Sequence, residues 1–446
     1  MNLKLLIFRA RSRGVPVYCC FLLLVYSVYR YCYVQPPRPS RVPDYIQSYL
    51  KLDEPVRLAP QPLSGAELSR LAGTVEMMNY EREVLMAWRY GPVRADAPVL
   101  LVQVHRDLAR LRLLVLSLRH VRHIHTALLV FSHSYYDAAI NQLVSSITFC
   151  RVMQIFYPYS LQLYPNKFPG IDPEDCLSSG RRAGCSPRDG RLTEHKHHWW
   201  WKAYFIFNNM DWSEDYKGTV IFLEEDNYVL PDLLHMLRYT TRSKVYLQGI
   251  HVMSFGRPYS KNLDYDLLSV TAWQPPYDKG LAFNKTVWEK IVAVSSHYCM
   301  YDDVSWSYSL LNAFGQFRGG HADVVAAVAP RVLATRLFRS GRAALDQISA
   351  WLADSKMFPT RVKAVMLYDS SGRVDKLLKP PPWGNGGWSD LRDHLLCLDP
   401  LMTTTADNSN NITTSFRETY YVVDTDNISI AHNSINLSTT DSRNLF

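Results

Sequence analysis

Between Pro98 and Phe156 the apolar residues follow two alternating rhythms. Val99-Leu-Leu-Val-Gln-Val104, Ala127-Leu-Leu-Val-Phe131 and Val152-Met-Gln-Ile-Phe156 are short, nearly continuous apolar runs. Between them Leu108, Leu111, Leu114, Val115 and Leu118 recur at helical spacing, and a second helical pattern runs from Tyr136 to Ile147. Apolar strands separated by amphipathic helices predict an α/β, Rossmann-like, mostly parallel sheet with helices on both faces, since a strand covered on both sides has no polar face to alternate. A further run, Val220-Ile-Phe-Leu223, ends in Glu224-Glu225-Asp226. Ligands of open parallel sheets sit outside the carboxyl ends of the strands, so chemistry is expected at this triplet, and hard oxygen ligands there suit Mg²⁺ or Mn²⁺. The alternative is a solvated loop with an N-cap, because Pro231 and Asp232 open a helical pattern nearby.

The N-terminal pattern is different. Lys4, Arg9, Arg11 and Arg13 precede an apolar stretch from Gly14 to Val34 whose only charge is Arg30. This predicts a type II signal anchor over 14–34 with residues 1–13 as a cytoplasmic tail. A cleaved signal peptide is the competing reading, although Tyr31, Cys32 and Tyr33 are too bulky for a small-x-small cleavage site. Residues 35–97 read as a stem: a proline-rich spacer to about Pro62, then a helical pattern from Gly65 to Arg89. The main domain is expected over 98–398, in a lumen or outside the cell. Residues 399–446, rich in Asn, Ser and Thr, are expected to be largely without fixed structure. Sequons at Asn284, Asn411, Asn427 and Asn436 permit glycosylation in such a compartment.

Composition narrows the classes further. Hydrophobic residues at 47% exclude an overall disordered chain. The net charge of +8 is spread along the sequence without a dense basic run, so nucleic acid is not an expected partner. Neither a Walker loop nor a GxGxxG fingerprint occurs, which removes nucleoside triphosphatases and dinucleotide enzymes. The octapeptide His195-Lys-His-His-Trp-Trp-Trp-Lys202 matches no zinc spacing. It reads either as a helix start whose tryptophans enter the core while the histidines stay outside, or as a donor-binding segment with cationic groups facing phosphate.

At this point several stretches together resemble a family: LLVQVH (100–105), VFSH (130–133), INQLV (140–144), SLQLYPNKFPG (160–170), KHHWWWK (196–202), IFLEED (221–226), YDD (301–303) and NGGW-x-D-x-RDH (385–394). In this order they resemble the alpha-1,6-mannosyl-glycoprotein 2-beta-N-acetylglucosaminyltransferases, the N-acetylglucosaminyltransferase II family. The resemblance implies a GT-A-type glycosyltransferase fold, Mn²⁺, UDP-N-acetylglucosamine as donor, a mannose of an N-glycan on a glycoprotein as acceptor, and a Golgi membrane anchored through the N-terminus with the catalytic domain luminal. It implies an inverting displacement by the mannose 2-hydroxyl. It assigns Asp226 to the metal, Gln103, Val104 and His105 to a nucleotide-binding strand end, and Lys196, His197 and His198 to a second donor-binding segment. It also implies disulfides Cys299–Cys397 and Cys176–Cys185, with Cys150 left as a buried thiol.

Five positions depart from the family pattern. Arg106-Asp107 replaces Asn-Arg after the strand histidine, and Ser134 replaces an aspartate after the second strand. Ser307, between Trp306 and Tyr308, stands where the family has its presumed base, an aspartate. Ala334 follows Pro330-Arg331-Val332-Leu333 where the family has a second metal ligand, a histidine. His321, Asp302 and Asp303 are candidate substitutes. A catalytically impaired member that keeps nucleotide or glycan binding is therefore the alternative reading. Asp390, Arg392, Asp393 and His394 offer either a catalytic set or, with the turn glycines and Trp388, a closure of the domain.

Overall fold

A computed structural model describes residues 63–173, 175, 188–246, 250–256, 264–335, 348, 352, 356–366 and 378–400, together with 23–26 and the strands at 417–424 and 427–434. The expected tail and anchor (apart from 23–26), the proline-rich spacer, and Cys176 with Cys185 lie outside the described residues. Among the described residues no helix is long and apolar enough to cross a membrane.

The elements in chain order are α1 (Gly65–Glu81), β1 (Val84–Leu85), α2 (Ala87–Tyr90), β2 (Val99–Val104), α3 (Leu108–Arg119), β3 (Leu128–His133), α4 (Ala138–Ser145), β4 (Arg151–Phe156), α5 (Gly190–Asn208), β5 (Val220–Glu224), β6 (Asn227–Val229) and α6 (Leu233–Tyr246). They continue with β7 (Ile250–Ser254), β8 (Leu267–Ala272), β9 (Leu281–Phe283), α7 (Lys285–Val292), α8 (Ser295–Cys299), α9 (Trp306–Phe314), β10 (Asp323–Ala327), β11 (Val332–Ala334), β12 (Lys363–Met366), α10 (Leu391–Leu398), β13 (Arg417–Asp424) and β14 (Asn427–Ser434). Ten strands form one sheet in the order β1-β4-β3-β2-β5-β9-β7-β10-β8-β12. The pairs β4–β3, β3–β2 and β2–β5 are parallel, as are β7–β10 and β8–β12. Strand β9 runs antiparallel to both β5 and β7 and joins the two halves.

The apolar runs are continuous because each strand feeds two cores. Val99 and Leu101 of β2 pack with Trp199, Trp200 and Trp201 of α5 and with Leu310 of α9. Their neighbours Leu100, Val102 and Val104 pack with Leu111 and Leu114 of α3, Ile140 of α4 and Leu237 of α6. Each fully buried aliphatic side chain contributes about 1.5–3 kcal/mol of transfer free energy, so a one-residue slip of β2 would misplace both layers.

The helix expected over Gly65 to Arg89 stops at Glu81, because Arg82 takes a left-handed backbone (φ 48°) and its N–H caps Met78 O. It starts with a capping box between Ser64 and Glu67. The Asn79 side chain bonds both the N–H and the carbonyl of Phe156 (2.8 and 2.6 Å), which ties α1 to β4 near the sheet edge. The stretch after 399, expected to lack fixed structure, carries the hairpin β13–β14, a two-stranded sheet of its own.

Candidate functional site

The carboxyl ends of β2, β3 and β5 open into a cleft of about 1020 Å³. His105 and Arg106 follow β2 into it, Ser134 and Tyr135 follow β3, and Glu224 ends β5. The N-terminal part of α5 contributes Arg191, Glu194 and His195; the opposite wall holds Asp278, Lys279, Ser305, Trp306 and Ser307. The cleft therefore lies where the parallel strands and their acidic triplet place it.

The three acids of the triplet do different things. Glu224 faces the cleft, 3.6 Å from Lys279 Nζ and 4.0 Å from His195 Nε2. Glu225 is buried and accepts the backbone N–H of His105 at 2.7 Å, fixing the loop after β2. Asp226 is also buried; Asn227 Nδ2 donates to its Oδ1 (3.1 Å), and Thr335 N–H and Oγ–H hold its carbonyl. Asp232 directly precedes α6, its carbonyl accepting the Met236 N–H at 2.9 Å, and its carboxylate is sealed in an ion pair with Arg331 at 3.1 Å.

Around His105 runs a polar chain. Its Nδ1 is 2.7 Å from Ser134 Oγ and its Nε2 is 3.3 Å from His195 Nδ1, with Gln103 Nε2 3.2 Å from the latter. Ser134 thus partners the strand histidine where the family has an aspartate. Asp107 caps α3 by accepting the N–H of Arg110 (3.1 Å), which leaves Arg106 to line the cleft.

The donor segment of the resemblance divides. His195, one turn upstream of His198, reaches the cleft, but Lys196, His197 and His198 do not line it. Lys196 is fully buried, donates to the carbonyls of Tyr301 (3.2 Å) and Asp303 (2.9 Å), and lies 3.8 Å from the Trp388 ring centroid. His197 bonds Asp393 at 2.8 Å, and His198 bonds Ser132 at 2.7 Å. Burial pushes the Lys196 and His198 pKa values well below their ordinary ranges. The expectation of histidines outside and tryptophans inside is corrected: His197 and His198 are as buried as Trp199–Trp201, because α5 is enclosed nearly all round by the sheet, α9 and α10.

The C-terminal motif closes the domain. Asp302 accepts the N–H of Trp388 (2.7 Å), and Asp303 accepts the N–H of Ser305 and of Asn385. Asp390 caps α10, Asp393 pairs with Arg188, and Cys299 is bonded to Cys397. His321 pairs with Asp323 at the start of β10. Asp302, Asp303 and His321 are thus engaged elsewhere and do not line the cleft in place of Ser307 or Ala334. Cys150 is a buried free thiol.

Residues 72–397 match the N-acetylglucosaminyltransferase II (MGAT2) family. The chain is 31% identical over 377 residues to the alpha-1,6-mannosyl-glycoprotein 2-beta-N-acetylglucosaminyltransferase of Homo sapiens, covering 77% of this chain and 82% of the relative. Its namesake from Rattus norvegicus is 30% identical over 77% of this chain and 83% of that one. The Arabidopsis thaliana protein of the same name is 29% identical over 68% and 74%. The chain belongs to the N-acetylglucosaminyltransferase II family.

This is a glycosyltransferase family acting in N-glycan synthesis, with a nucleotide-sugar donor and a glycoprotein acceptor. The family resemblance raises the expectation of a divalent ion. The residues of this N-acetylglucosaminyltransferase II member fit such an ion poorly. Asp226 lies beneath the cleft wall, and Ala334, paired with Asn227 across β11–β6, brings no donor atom where a second ligand is expected. Among the described residues no group of three or more His, Cys, Asp or Glu is arranged to hold a metal.

Sequence reasoning passed over Glu194, Asp278 and Lys279, and named Arg106 only as a departure from the family pattern. Glu194 and His195 carry a signal in their helical offset from His198, since residues three and four apart share a face. Burial raises the Glu194 carboxyl to about 7, against a hydrogen bond from Leu161 N–H at 2.7 Å. Burial likewise raises Asp278 to about 6, with Lys279 opposing.

Proposed function

We propose that the chain transfers N-acetylglucosamine from UDP-N-acetylglucosamine to the 2-hydroxyl of an N-glycan mannose, forming a β-1,2 linkage with inversion. The observation that carries this is the meeting of the family's strand-end residues, His105 and Glu224, in one cleft large enough for a nucleotide sugar. His105, Arg106 and His195 line its nucleotide side, and Arg106 offers a charge to phosphate.

The base at the Ser307 position is missing, since a hydroxyl is not a useful proton acceptor near neutral pH. We assign that role to Glu194, which lines the same cleft and whose proton affinity lies near neutrality. Its carboxylate takes the proton of the mannose hydroxyl as that oxygen bonds the anomeric carbon, and the bond to the diphosphate oxygen breaks with its electron pair leaving on UDP. Mn²⁺, the ion the resemblance implies, lacks a fitting donor set here. The basic head and the apolar stretch over 14–34 support a type II membrane anchor, and the family resemblance points to the Golgi as its location. Radiolabelled transfer to mannose-terminated N-glycans, with the linkage read by nuclear magnetic resonance, tests the activity. A chain that binds UDP without transferring would instead be the binding-only relative.

A further inference from the structure

The acidic loop of the cleft already contains a cation. Lys279 Nζ lies 3.6 Å from Glu224 and 3.5 Å from Asp278, and its side chain is 28% exposed in the cleft wall. Close packing fixes the backbone from which this side chain emerges. Gly256 N–H donates to Lys279 O at 2.7 Å, and a Cβ on Gly256 would stand 2.4 Å from Lys279 Cβ and 2.9 Å from Val332 O. Gly280, in the left-handed region (φ 59°), packs against Val332 in turn. Val332 opens β11, the strand that brings Ala334 beside Asn227 and so beside the acidic loop. The lysine therefore emerges next to the place where the family's second metal ligand is absent.

We propose that Lys279 replaces a divalent ion as the cation of this site, so that a nucleoside diphosphate binds the cleft without metal. The inference deepens the donor reading above and rests on it. An ammonium has three N–H donors; Asp278 accepts one at 3.5 Å and Glu224 attracts the charge from 3.6 Å without a hydrogen bond, so the ammonium keeps donor capacity for a diphosphate oxygen. A divalent ion entering the same loop would meet the ammonium as a like charge in a half-dry cleft, where such repulsion is poorly screened. Arg106 and Arg191 on the facing wall add positive charge for the remaining phosphate oxygens.

Calorimetric titration of UDP into the full-length chain in detergent, once in EDTA and once in excess Mn²⁺, is the test. Expected are equal affinities in both buffers, a loss of roughly ten- to a hundredfold in Lys279→Met, and retention within about threefold in Lys279→Arg, as for loss of one charged hydrogen bond. Matching melting temperatures of the two variants separate this from unfolding. Binding that appears only with Mn²⁺, or an unchanged Lys279→Met, overturns the lysine's role while leaving the donor site standing. Absence of UDP binding in either buffer overturns the donor reading and this inference with it.

Discussion

Arg188 and Asp393, far apart in the chain, meet at 2.7 Å with neither side chain exposed. The same carboxylate bonds His197 on α5, and Arg188 also pairs with Asp175 at 2.9 Å and donates to Gly170 O. The loop before α5, the helix itself and the C-terminal α10 are thus held by one buried network. Removing one partner of such a pair costs about 3–5 kcal/mol, because the other charge stays buried. Asp393→Asn should therefore lower the unfolding free energy by about that amount, read by urea denaturation of the oxidised protein.

The same network sets an acid limit. Burial alone would raise Asp393, but its bonds to His197 and Arg188 outweigh this and hold its pKa below the usual carboxylate value. Burial pulls His197 down despite the carboxylate beside it. A depressed folded pKa gives stability that is present above the unfolded value and lost as pH falls through the folded one. The His197 share should fade below about pH 6.5, and the Asp393 share below about pH 3.9. Melting temperature should decline with acid in two stages, and His197→Gln should remove the upper one.

Glu225 connects the acidic triplet to the nucleotide side of the cleft through its bond to the His105 N–H. Hydrogen bonds to a charged group are worth about 1.5–3 kcal/mol. Glu225→Ala should cost that much stability and weaken UDP binding, since His105 and Arg106 lose their anchor. A variant with normal UDP affinity and normal melting would show that the loop holds itself.

These residues also mark how far the sequence could be read. Strands β2 to β5 are legible because each is buried on both faces and so is written as an unbroken apolar run. The right half of the sheet is not: β9 has three residues, antiparallel pairs break the strand–helix rhythm, and β12 is exposed at an edge. The cleft's position follows from the acidic end of β5, but the roles within the triplet depend on which way each carboxylate turns. Lys196 and His197 read as phosphate-facing cations, yet tertiary enclosure of α5 buries them against α10 and the YDD loop. Lys279 sits in a turn far from the triplet in sequence, and only the β7–β9–β11 packing brings it there.

The Cys299–Cys397 bond adds a second lock on α10. Its two cysteines are 98 residues apart, and closing a loop of that size contributes roughly 4–5 kcal/mol on the chain-entropy model. The double Ser variant should lose about that much in urea titrations. Trp388, whose indole N–H donates to Cys299 O at 2.7 Å, should become more solvent-exposed on reduction, visible as a fluorescence red shift.

Catalysis gives the sharpest test of the departures at Ser307. With Glu194 as base, its carboxylate must be ionised, so kcat should rise with pH and level off above about 7, where burial has placed its pKa. Glu194→Gln keeps the shape and the hydrogen bond from Leu161 N–H but cannot accept a proton. It should lower kcat by roughly 10²–10⁴-fold, the usual worth of a positioned base, and abolish the limb near pH 7. UDP affinity should change little, since the proton transfer involves the acceptor. Ser307→Asp offers the contrast: a carboxylate restored at the family's position should recover transfer in the Glu194→Gln background only where Ser307 faces the acceptor hydroxyl. A Glu194→Gln enzyme with undiminished kcat and the same pH limb would return the base to another group of the cleft, with Asp278, at about 6, next in order.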